Sequence, residues 1–266
     1  MITTFQSPAL RDSLALSGLL RELSGLGRGL ERTVLGSFLA GRNRYEIPRL
    51  RFQGPRASHD PIRLGIFAGI HGDEPAGCIA LARFASALAA APSRATGYDL
   101  YLYPVVNPTG FERGTRENHS GLDLNREFWR DSAEPEVRIL QHELRAVSFD
   151  GIITLHADDT SEGVYGYAQR RALDEALLGQ ALRAAEAHLP RDRRSVIDGF
   201  AARDGFVGDC YEGVLRAPGT QDPQPFDLIF ETPALSPLES QIEASIAALD
   251  SILASYRGFL AYAVNL

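Results

Sequence analysis

From about residue 62 to its end, the sequence alternates short apolar runs with segments of helical periodicity, and this constrains the fold more than any other feature. The runs "RLGIFAGI" (63–70), "YDLYLYPVVN" (98–107), "GIITLHA" (151–157) and "FDLIFETP" (226–233) read as buried strands. Residues 74–91, 134–147, 170–189 and 236–263 place apolar side chains at helical spacing, and the first two carry a Pro near their start. Strands that alternate with helices pair in parallel and are covered on both faces. The expected fold is therefore α/β, with a mixed, largely parallel central sheet. The first sixty residues differ: a helix is expected over roughly 8–24, then edge strands in "TVLGSFLAG" and "RYEIPRLRFQG". Residues 191–225 are rich in Gly, Pro, Asp and Arg with weak periodicity, and read as a long loop at the rim of a site. No repeat or linker divides the chain, so one domain is expected over 1–266.

Composition narrows the chemistry. All 27 basic residues are Arg. Without Lys there is no phosphate-binding P-loop, no Schiff base and no Lys general base. Two cysteines, Cys78 and Cys210, make neither a disulfide framework nor a Cys-rich zinc site. A net charge of −7 without a basic block argues against nucleic acid or a membrane as partner. No run reaches the ~18 apolar residues of a membrane span. The start lacks a secretory pattern, so a cytoplasmic location is expected. No G-x-S-x-G elbow supports a serine hydrolase.

In open α/β sheets ligands sit beyond the C-terminal ends of strands. His71 and Glu74 follow one expected strand, His156 ends another, Glu231 ends a third, and Asn107 with Pro108 closes a fourth. A single strand-end His is more often hydrogen-bonded structure than a ligand, and the pair at 71 and 74 could instead cap a helix. The shared position of these residues is the signal. Two His and a Glu make a catalytic zinc shell with one position open for water. A further carboxylate is then needed to move protons, and Glu231, among apolar neighbours that raise its pKa, suits that task. His59, His142 and His188 read as structural, and His119 as a loop histidine. The polar segment "NPTGFERGTRENHSGLDLNREFW" (107–129) carries Arg113, Arg116 and Arg126, whose guanidinium forks suit carboxylates or an oxyanion.

Over about residues 60–235 these motifs resemble the zinc carboxypeptidase family, including its murein-peptide amidase and aspartoacylase/succinylglutamate desuccinylase branches. "HGDE" resembles the family's His-x-x-Glu pair at His71 and Glu74, "TLHADD" its third ligand at His156, and "FETP" its general base at Glu231. The resemblance implies one Zn2+ per chain and a zinc carboxypeptidase-like catalytic domain, with residues 1–60 as an N-terminal helix and edge strands. It further implies that Arg116 assists the oxyanion and that Asn125 and Arg126 hold a substrate carboxylate. Tyr211 is the candidate for a substrate-contacting Tyr, with Asp209 beside it and Tyr165 and Tyr167 as further candidates for the cleft. The expected activity is hydrolysis of an amide bond in a short peptide bearing a free carboxylate. The alternative is an N-acyl amino acid deacylase. Deacylases of the aspartoacylase type generally carry a β-rich domain after the base, whereas the 35 residues after Glu231 read as one helix. A non-catalytic binding protein on the same fold is a third reading.

Overall fold

The apolar runs become strands because their residues are buried on both faces. In the computed structural model, which describes residues 15–25, 29–56, 60–169 and 172–264, all six residues of "YDLYLY" (98–103) are buried, and so are the first six of "GIITLHAD" (151–158). His59 and residues 8–14 of the expected first helix lie outside the described residues. In chain order the elements are α1 (Leu16–Ser24), β1 (Leu30–Ala40), β2 (Asn43–Gln53), β3 (Ile62–Ala68), α2 (Pro75–Ala90), β4 (Tyr98–Tyr103), α3 (Pro108–Arg113) and α4 (Pro135–Ala146). They continue with β5 (Gly151–Asp158), β6 (Tyr165–Ala168), α5 (Ala172–Ala185), β7 (Val196–Ile197), β8 (Phe200–Arg203), β9 (Phe206–Val207), β10 (Phe226–Pro233) and α6 (Leu238–Val264).

The ten strands form one sheet in the order β1-β2-β4-β3-β5-β10-β6-β9-β8-β7. The expected α/β fold is present, with the parallel pairing concentrated at its centre. Strands β4, β3, β5 and β10 are parallel neighbours, joined by helical crossovers as the alternation requires. The flanks are mostly antiparallel. β1 and β2 form a hairpin that pairs with β4, and β6 adds antiparallel to β10. β7, β8 and β9 form a small meander whose last strand runs parallel to β6.

Helices cover both faces. Leu81 and Phe84 of α2, Leu177 of α5 and Ala248 and Leu249 of α6 share one core with Leu64, Ile66, Leu100 and Leu228. On the other face, Val137, Leu140 and Leu144 of α4 pack with Phe67, Tyr103 and Ile152. Each buried Leu, Ile or Phe contributes roughly 1.5–3 kcal/mol, so the two layers hold the central strand ends in fixed positions. The loop expected over 191–225 contains β7 to β9. Their length of two to four residues and half-exposed sides conceal them in the sequence. Among the described residues no helix is long and apolar enough to cross a membrane.

Candidate metal centre and active site

β3 ends at Ala68, and Gly69 (φ +65°) turns the chain toward His71. A Cβ on Gly69 would sit 2.6 Å from the Cys78 sulfur, and one on Gly72 would sit 1.8 Å from the backbone of Gly110. Glycine is therefore required on both sides of His71. Glu74 precedes α2, where Pro75 holds the first helical position, and its side chain makes no capping hydrogen bond. The capping arrangement weighed from the sequence is absent, and the carboxylate turns to the imidazoles instead. Its Oε1 lies 2.6 Å from His71 Nδ1, and its Oε2 lies 3.0 Å from His156 Nδ1. The Ala157 N–H donates to Oε2 at 3.0 Å. All three side chains are buried, and one ligand atom from each lies within 4.8 Å of the others.

This donor set fits a metal ion. Around a tetrahedral ion with ligands at about 2.0–2.2 Å, neighbouring ligand atoms stand ~3.4 Å apart, so the 2.6 and 3.0 Å separations would open toward that value around an ion. Two imidazoles and a carboxylate suit zinc. The Nε2 of His71 faces Asp123 Oδ1 at 3.1 Å, the outer partner that fixes the tautomer and orientation of a ligating imidazole. The Nε2 of His156 is buried with no partner. Burial would lower the His71 pKa, but Glu74 and Asp123 outweigh it and push it up to about 9. Burial presses His156 below the ordinary imidazole value, with Glu74 opposing. For Glu74, burial is outweighed by the two imidazoles, and its pKa lies well below the ordinary carboxylate value.

Glu231 lies opposite His156 on β5 and Tyr165 on β6, so strand register alone sets its place. It is 9 % exposed, and among the described residues its carboxylate accepts no hydrogen bond. Burial raises its pKa well above the ordinary value; Glu74, Asp158 and Asp198 add to the rise and Arg116 opposes it. A carboxylate in such surroundings is suited to taking up and releasing a proton.

These groups open into one cavity of about 500 Å³, which Arg116, Asn125, Arg126, Tyr165, Tyr167 and Tyr211 also line. Arg116 donates to Asp123 Oδ2 at 3.0 and 3.2 Å, and its other terminal nitrogen stands 3.6 Å from Glu74 Oε1. Asn125 Oδ1 accepts the Leu215 N–H at 2.8 Å, and among the described residues its own side-chain N–H donors have no partner. The Arg126 guanidinium rests 3.9 Å from the centre of the Tyr211 ring. The Tyr211 hydroxyl donates to Asp198, 3.1 Å from Oδ1, and the ring packs edge-on against Phe200. His71, Glu74, Arg116, Asn125, Arg126, His156, Tyr211 and Glu231 thus line one cavity, together with Tyr165 and Tyr167.

Two expectations change. Asn107 does not join the cavity; its side chain accepts the Gly110 N–H and caps α3. Asp209 lines a separate small cleft with Val207 and Arg216. His142 and His188 are exposed on the surface, consistent with their structural reading. Sequence reasoning missed Asp123 and Asp198. Asp123 lies inside the quoted segment 107–129, where a lone Asp in a polar loop carries no periodic signal. Asp198 (φ +48°) sits in the turn between β7 and β8, and no motif marks it.

Residues 61–191 match the family model of the succinylglutamate desuccinylase/aspartoacylase catalytic domain, a span that contains His71, Glu74 and His156. No curated protein matches the chain. Among solved structures, a candidate metallopeptidase from Shewanella amazonensis is 26 % identical, with a TM-score of 0.76 over 90 % of this chain and 92 % of its own. A metallo-carboxypeptidase from Burkholderia cenocepacia shares the fold at 17 % identity, with a TM-score of 0.71 over 91 % of this chain and 68 % of its own. A metallo-carboxypeptidase from Pseudomonas aeruginosa, solved in complex with (2-guanidinoethylmercapto)succinic acid, shares it at 20 % identity, with a TM-score of 0.64 over 90 % and 67 %. The chain thus shares the fold of these metallo-carboxypeptidases and, over residues 61–191, is similar to the succinylglutamate desuccinylase/aspartoacylase catalytic domain.

Proposed function

We propose that the protein is a zinc-dependent amide hydrolase that acts on short peptides with a free carboxylate. One observation carries the reading: the buried Glu231 shares a cavity with the His71–Glu74–His156 set and with two Arg side chains. An ion held by those three ligands would supply Lewis acidity toward a carbonyl and toward water.

The protein's own groups do the rest. Arg126 and the uncommitted N–H donors of Asn125 bind the substrate carboxylate and set the scissile carbonyl near His71 and Glu74. Arg116, fixed by Asp123, directs a guanidinium N–H at the oxygen that becomes negative during attack. Glu231 accepts a proton from the attacking water and returns it to the departing nitrogen. Its raised pKa equips it for both transfers.

The match to the desuccinylase/aspartoacylase domain favours a second reading, deacylation of an N-acyl amino acid. Cavity charge supports the peptide. Besides the ligand Glu74 and the proton-holding Glu231, the acids Asp73, Asp158, Asp159 and Asp198 line the cavity against two guanidinium groups. Such a wall attracts the ammonium group of a peptide and repels a polyanionic acyl amino acid. The test is a panel of short peptides and N-acyl amino acids given to zinc-reconstituted protein, with released amine measured. Hydrolysis of the peptides with a free C-terminus is expected. Turnover confined to N-acyl amino acids would establish the second reading, and turnover of neither would end both.

A further inference from the structure

We propose that His119, Glu134 and Glu136 form a second divalent-cation site, a structural staple between the loop after α3 and the start of α4. One ligand atom from each residue lies within 4.8 Å of the others. The three come from two segments: His119 from the loop, Glu134 from the position just before α4, and Glu136 from its first turn.

The orphaned polar atoms carry the proposal. Glu136 is 0 % exposed, and among the described residues neither of its carboxylate oxygens makes a hydrogen bond of good geometry, with only the Asn118 amide and its own backbone N–H turned toward it. His119 Nδ1 is also buried without a partner, while its Nε2 stands 3.5 Å from the Ser120 hydroxyl. Among the described residues no Arg forms an ion pair with either glutamate, and the chain has no Lys. An acid buried beside another acid with no counter-charge is costly. A divalent cation resolves this: one neutral imidazole, two carboxylates and a 2+ ion sum to zero charge. One nitrogen and two carboxylate oxygens match a first-row divalent ion of the zinc, cobalt or manganese class.

The surroundings are built around these ligands. The Asn118 amide donates to Glu134 Oε2 at 2.6 Å and fixes that carboxylate. Asn118 is itself buried, and its oxygen accepts the N–H groups of Ser120 and Leu122. The Thr109 hydroxyl accepts the His119 N–H at 3.0 Å, and the Phe38 ring faces the imidazole at 6.2 Å. The same loop bears Arg116, Asp123, Asn125 and Arg126, so a cation here would hold the substrate-binding segment against α4.

The test is zinc content after saturation and removal of free metal, measured by elemental analysis. Two equivalents are expected in the wild-type chain and one in each of Glu136→Gln, His119→Ala and His156→Ala. In the His156→Ala background, where only the second site is intact, saturating zinc should raise Tm by about 5–10 °C. Adding Glu136→Gln should abolish that rise. One equivalent in the wild type with none in His156→Ala overturns the proposal. So does a second equivalent that survives both Glu136→Gln and His119→Ala. The wild-type count decides even where a variant folds poorly.

Discussion

Replacing Asp123 by Asn keeps the side chain's shape and removes the charge that connects the metal centre to the substrate arginines. Asp123 Oδ1 faces His71 Nε2 at 3.1 Å and accepts the Asn125 N–H at 2.9 Å, while Oδ2 accepts Arg116 at 3.0 and 3.2 Å. An Asn oxygen can stay with His71 and Asn125, but its NH2 then confronts Arg116, donor against donor. The His71 bond changes from charge-assisted to neutral, a loss of about 1 kcal/mol. The Arg116 pair is 41 % and 23 % exposed, so its loss counts at the low end of such values. Together these place the effect on metal affinity near ~1.4 kcal/mol, about tenfold, and the freed Arg116 should lower kcat/KM of fully loaded enzyme by about another tenfold. Chelator competition gives the first quantity and turnover of a free-carboxylate peptide at saturating zinc gives the second. Values within about threefold of wild type in both assays would refute the positioning role of Asp123.

Three further outcomes follow from the geometry. Amidating the substrate carboxylate, or replacing Arg126 by Met, should lower kcat/KM by roughly tenfold to a hundredfold, since a bidentate fork contributes about 1.5–3 kcal/mol; equal turnover of free and amidated substrate would remove Arg126 from that role. Glu231 holds its proton to an unusually high pH, so kcat/KM should fall as pH drops through a value well above 4.5, and an acid limb at the ordinary carboxylate value would contradict its burial as the cause. Burial pushes Glu136 up from 4.5 to about 7, so the metal-free fold binds an extra proton between these values. Its stability should therefore fall by roughly 3 kcal/mol as pH rises across that window, and Glu136→Gln should flatten the slope in melts followed against pH.

The parts of this site legible in the sequence are those that sit on long buried strands. β10 runs over 226–233 as its apolar composition predicts, and that boundary places Glu231 beside His156. His71 and Glu74 were legible because an apolar run ends in polar residues that no strand interior would hold. Asp123 was not, because its contacts are made across 52 residues to His71, and a lone Asp in a polar loop carries no periodic signal. Tyr165 and Tyr167 were visible as cleft candidates, but β6 itself, four residues long, was not. The rim over 191–225 was harder still. Its strands are too short for a period, and Asp198 reaches Tyr167 and Tyr211 only through the turn they form. The expectation of a largely parallel sheet holds for the four central strands, where helices make the crossovers. At the flanks, hairpin and meander connections make the β1–β2, β7–β8 and β8–β9 pairs antiparallel, and the non-consecutive β2–β4 and β6–β10 pairs are antiparallel too.

The most direct test of the account is kcat and metal content measured together for Glu231→Gln. Gln keeps the size and polarity of the side chain and removes its basic site. The variant should retain zinc at wild-type occupancy, bind substrate with little change, and lose about 10²–10⁴-fold in kcat. Loss of the metal would make Glu231 a ligand or a prop of the metal centre, and retention of most of the activity would place the proton-transfer group elsewhere.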